Sequence, residues 1–97
     1  MPKLEGFDNG LIKIFLKFII LDLLNERVQQ GLTIATEIHD RFMILISPNT
    51  IYRLLDDLMD DELIENKEKN YCITERGRDA LKSLIELILK GREFVDK

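Results

Sequence analysis

A single cysteine and a single histidine leave this 97-residue chain short of most site chemistry. Cys72 has no partner for an internal disulfide, and one Cys with one His cannot supply the four ligands a structural zinc site normally takes. Cys72 lies in a short apolar stretch, where a small packed residue is a simpler reading than a reactive thiol. His39-Asp40 has the order of a metal phosphohydrolase pair, but no second histidine exists to complete such a site. A solvated pair near a helix end is the plainer reading. The sequence also lacks a Gly-rich phosphate loop and a nucleophile elbow. No cofactor, no metal and no enzymatic activity are expected.

Long hydrophobic runs are missing too. The most apolar stretch, "LIKIFLKFIILDLL" (Leu11 to Leu24), carries Lys13, Lys17 and Asp22 and is too short for a hydrocarbon core of ~30 Å. It reads as a buried helix, with no membrane association. Glu5 and Asp8 precede it and no small-residue cleavage site follows, unlike a secretory leader, so a cytoplasmic protein is expected. Nor is there a repetitive or Pro/Ser-rich tract. With 45% hydrophobic and 33% charged residues, residues 1–97 are expected to form one small domain. A core of that size is modest, which makes help from a second subunit plausible.

What the chain does have is helical punctuation. Asp8 or Asn9 can cap a first helix over residues 9–29, with Gly31 as its stop. Its apolar positions, Phe15 and Ile19 among them, are spread wider than one face, so part of that surface is expected to meet a partner subunit. Thr33 is the expected N-cap of a second, short helix, with Glu37 near the reciprocal capping position and Ile34, Ile38 and Phe42, with Ala35, spaced three or four apart. Ser47 and Pro48 announce a third, Ser47 as N-cap and Pro48 at the first helical position, with Ile51, Leu54, Leu55 and Leu58 facing inward.

After Glu62 the pattern changes to "LIENKEKNYCIT", two short strands around a tight polar turn. Thr74 then caps a last helix over residues 75–95, in which Leu81, Leu84, Ile88 and Val95 keep a near-heptad stripe. These four, with Phe15 and Ile19, are the expected dimer interface. The fold is expected to be mainly α with a two-stranded β-wing. The order helix-helix-helix-hairpin-helix is that of a winged helix-turn-helix.

"ISPNTIYRLLDDLMDDELIE" followed by "YCITERGRDAL" resembles the PadR-type winged-helix transcription regulators. Ser47, Pro48, Thr50, Ile51, Tyr52, Leu55, Leu58, Leu63, Ile64, Tyr71, Ile73, Thr74, Gly77 and Leu81 match that pattern, and small archaeal winged-helix proteins are similar in design. The first half matches by element order alone. Ala35-Thr36 replaces a Gly-Tyr pair frequent in the family, and Glu62 stands where the family usually ends its third helix with Gly. The resemblance implies a homodimer on double-stranded DNA and a small-molecule effector between subunits.

Residue chemistry points the same way. Asn49, Thr50 and Arg53 lie on the outer face of the third helix near its start, where a recognition helix meets base edges. Asn can bond adenine, Arg can bond guanine, and Thr can meet a phosphate or a thymine methyl. Ser47, Tyr52, Lys67, Lys69 and Arg76 complete the expected DNA contacts. Against this stands charge: residues 48–62 hold Arg53 against Asp56, Asp57, Asp60, Asp61 and Glu62, a balance of −4 that equals the formal charge of the whole chain. DNA-binding domains are usually basic. Either the helix enters the groove N-terminus first, or the winged helix is a protein-interaction module whose acidic end docks a basic partner.

Overall fold

The computed structural model describes residues 9–95. Its elements run α1 (Asn9–Glu26), α2 (Gly31–Phe42), α3 (Pro48–Asp60), β1 (Ile64–Lys67), β2 (Asn70–Ile73) and α4 (Glu75–Val95). This is the expected order, mainly α with one antiparallel hairpin before the last helix. Asp8, a capping candidate, lies outside the described residues.

The core is aliphatic and drawn from every element: Leu16, Ile20, Leu23 and Leu24 of α1, Ile34 and Ile38 of α2, the four inward residues of α3, Ile64 and Ile73 of the hairpin, and Leu81 of α4. Burying such side chains contributes about 1.5–3 kcal/mol each. Two residues expected at a dimer interface, Ile19 and Leu81, are in this core at 3% exposure each, so they stabilise the protomer instead. Their spacing on the helices is compatible with either role. Only packing against α1's neighbours and the hairpin decides it.

The α1–α2 junction also differs from expectation. α1 ends at Glu26, three residues before Gln29, because Gln29 leaves the helix to pair with the wing. Its N–H donates to the Tyr71 carbonyl at 3.2 Å and its carbonyl accepts from the Tyr71 N–H at 2.7 Å. Continuing the helix would forfeit both bonds. Gly31 therefore does not stop α1; it opens α2, two residues ahead of the expected cap at Thr33. Gln30 is the N-cap, without a side-chain hydrogen bond. Glu37 does not reach back to a cap. It pairs with Arg27 and accepts a 3.3 Å bond from Gln29 Nε2, tying α2 to the end of α1. A bidentate bond from Arg41 to Glu26, at 3.0 and 3.1 Å, adds a second tie.

Two capping expectations hold in detail. Ser47 Oγ accepts from the Thr50 N–H at 3.2 Å, with Pro48 in the first turn. Thr74 Oγ1 accepts from the Gly77 N–H at 3.0 Å and donates to the Glu62 carbonyl at 2.8 Å. The second bond fixes α4 to the end of α3. The Thr74 N–H also donates to the Leu63 carbonyl at 3.0 Å, and a Cβ at Gly77 would overlap that same oxygen. Cys72 is half-buried in β2, with a free thiol.

Candidate nucleic-acid interface

α3 presents its inner residues to α1, α2 and the hairpin and leaves Asn49, Thr50, Tyr52, Arg53, Asp56, Asp60 and Asp61 exposed. Asn49, Thr50 and Arg53 therefore come together at the free N-terminal half, as expected. The Ser47 hydroxyl is shared with the cap, lying 2.9 Å from Thr50 Oγ1. That contact fixes the first turn of the helix and holds the Thr50 hydroxyl toward Ser47. Backbone N–H groups of such a turn, together with the helix dipole, favour a phosphate.

An intrahelical Arg53–Asp57 pair would have made Arg53 a surface ornament. Instead Asp57 pairs with Lys17 of α1 at 3.5 Å. Arg53 makes no ion pair with any described residue, and its guanidinium is available to a ligand.

α3 is flanked on both sides. On one, α1 forms the wall of a cleft of about 450 Å³ lined by Ile12, Lys13, Leu16, Thr50, Arg53, Leu54, Asp56 and Asp57. On the other, Tyr52 leans over Gly31, where an added Cβ would come within 2.7 Å of its ring. Tyr52 is 40% exposed and shares a smaller hollow with Gln30, Leu32, Asn66, Lys69 and Tyr71. Gly31 thus lets the ring settle between α2 and the wing. Burial of the neighbouring Tyr71 pushes its phenol pKa up, so that hydroxyl stays protonated.

The wing is a two-residue hairpin whose turn, Glu68-Lys69, has φ of 51° and 70°. Two positive φ values in succession match a type I′ turn, normally built from Asn-Gly. Lys67 is exposed and lies 3.6 Å from Glu65, a surface pairing that water competes for. Lys69 makes no ion pair with a described residue. Arg76 lies at the start of α4 but pairs with Glu62 at 3.8 Å, so it is partly occupied. Two of the five carboxylates of α3 and its end, those of Asp57 and Glu62, thus have cationic partners. Asn49 and Asp60 lie eleven residues apart, or roughly 16 Å along the axis. The acidic end is therefore well separated along the axis from the exposed N-terminal residues.

Away from α3, Leu11, Ile14 and Phe15 of α1 and Ile85, Leu87, Ile88 and Leu89 of α4 are exposed, and Leu84 is half-buried. The side chain of Val95 lies outside the described residues. No described helix is long and apolar enough to cross a membrane. Among the described residues no group of three or more His, Cys, Asp or Glu could hold a metal ion.

Comparison with known proteins agrees with this architecture. The winged helix-turn-helix family matches residues 17–92. RosR of H. salinarum, in one structure of a complex, is 30% identical over 84% of this chain and 83% of that one, with a TM-score of 0.71. A PadR-like transcription factor from Bacteroides fragilis superposes with a TM-score of 0.85 at 22% identity, covering 90% of this chain and 92% of that one. A transcriptional regulator from Clostridium thermocellum gives 0.75 at 22% identity, covering 93% and 95%. No curated protein sequence matches.

Proposed function

Because the chain belongs to the winged helix-turn-helix family of transcription regulators, we propose that it binds double-stranded DNA as a homodimer, with α3 in the major groove. Asn49, Thr50 and Arg53 read base edges, and Tyr52 meets the backbone from the flank. Lys67 and Lys69 of the wing meet the neighbouring backbone or minor groove, and Arg76 joins once DNA competes with Glu62. Phe15, Leu84 and Ile88, with their exposed apolar neighbours, pair the subunits; a small-molecule effector would lodge in that seam.

The observation that carries this reading is Arg53, exposed on α3 and without an ion pair to any described residue, while Asp57 one turn on is held by Lys17. A good bidentate contact to guanine contributes about 1–3 kcal/mol of discrimination. The protein-interaction alternative rests on Asp60 and Asp61, which are exposed and make no ion pair with any described residue, while Glu62 beside them is partnered by Arg76. Selection of bound fragments from random DNA tests the proposal. An enriched sequence motif that Arg53→Ala weakens supports it, and no enrichment by the native protein contradicts it. The double change Asp60→Lys with Asp61→Lys separates the alternative: under the DNA reading it strengthens binding to any duplex.

A further inference from the structure

We propose that Lys13 of α1 is a phosphate contact and that, with Lys69 of the wing, it brackets the reading helix from the opposite side; this rests on the DNA-binding reading above. At 100° per residue the outward face of α3 is centred on Asn49, Arg53 and Asp60, with Tyr52 on one flank and Thr50 and Asp57 on the other. The Tyr52 flank adjoins the hollow that holds Lys69. The Thr50 flank adjoins the cleft whose other wall holds Lys13. A helix lying in a major groove has a phosphate ridge on each side, and these two lysines stand beside those ridges.

Three further observations select Lys13. It is exposed and makes no ion pair with any described residue, whereas Lys17, one turn along, is held by Asp57. The Lys17–Asp57 pair also neutralises one of the two carboxylates that line this cleft, Asp56 being the other. Finally, Lys13 and Lys17 lie about 130° round α1 from the centre of Leu11, Ile14 and Phe15. Pairing of subunits through those apolar residues therefore leaves the lysine face open.

The test is fluorescence anisotropy of the full chain on a labelled duplex of mixed sequence, over a range of salt concentrations. Native protein is compared with Lys13→Gln, Lys13→Arg and, as a control far along α4, Lys90→Gln. Because each phosphate contact contributes about 0.9 to the slope of log affinity against log salt, Lys13→Gln is expected to lower that slope by about 0.9 per subunit. Lys13→Arg should keep it, and Lys90→Gln should leave it unchanged. A native slope in Lys13→Gln, or an equal loss in Lys90→Gln, overturns the proposal while leaving the DNA reading standing. Absence of binding by the native protein at every salt concentration takes both down. Thermal melts of each variant separate a lost contact from a lost fold.

Discussion

Single residues at constrained positions explain much of the motif. At Gly77 a methyl would meet a backbone oxygen that cannot move without breaking the α3–α4 tie, whereas at Gly31 it would meet an exposed ring that can swing away. Gly77→Ala should therefore cost about 1–3 kcal/mol, the usual range for overpacking, and Gly31→Ala distinctly less. Denaturant melts check the order. Gly31→Ala should still weaken DNA binding, because it displaces Tyr52. Glu62 makes the opposite case, holding φ at 61° where Gly has no steric cost. Glu62→Gly should stabilise the fold by up to about 1 kcal/mol and, by releasing Arg76, tighten binding to DNA. Looser binding in a stabilised variant would show that Arg76 does not reach the duplex.

At the scale of elements, the ties between helices are polar and titratable. Arg41 holds the Glu26 carboxyl below its ordinary value of 4.5, chiefly through the hydrogen bond between them. A carboxyl that is more acidic when folded stabilises the fold above its unfolded pKa, and that contribution disappears as pH falls through the lower native value. Melting temperature should thus drop from about pH 4.5 downward, and Arg41→Ala should flatten that part of the profile. An unchanged acid limb would mean that the α1–α2 tie contributes nothing in solution. Another exchange concerns α1 and α3: Asp57→Asn should free Lys17 and raise affinity for any duplex.

Elements announced by residue chemistry were legible in the sequence. Ser47-Pro48 and Thr74 mark their helix starts because a short side chain caps the backbone there, and the α3 stripe gives its buried face. The boundary at Gln29 was not legible, since it depends on a strand-like pairing with Tyr71 more than forty residues along the chain. The tight turns were only partly so. Met43, Glu62, Glu68 and Lys69 all take positive φ without being Gly or Asn, so the usual turn signal is absent. Among the proposed contacts, the grouping of Asn49, Thr50 and Arg53 followed from helical periodicity. Which acid Lys17 would hold, and which side of α3 Lys13 would flank, required the crossing of α1 over α3.

For the whole molecule, the exposed apolar residues of α1 and α4 are the surface that the proposed homodimer would cover. Phe15 and Ile88, 50% and 59% exposed, are one member from each helix. If the proposed homodimer forms through this surface, the native protein sediments as a dimer, and replacing both by Glu should give a folded monomer and weaken DNA binding by removing the second half-site. A dimer unaffected by the double change would place the seam elsewhere. The net charge of −4 sets the other global expectation: affinity without a cognate site should be low and fall steeply with salt. The most direct test of the central claim is the ratio of affinities for a selected site and a scrambled duplex at one salt concentration, in the native protein and in Arg53→Ala. Base reading by Arg53 requires a clear preference in the native protein that Arg53→Ala reduces by about 1–3 kcal/mol, with little change on the scrambled duplex. Equal affinity of the native protein for both duplexes, or a preference untouched by Arg53→Ala, would contradict it.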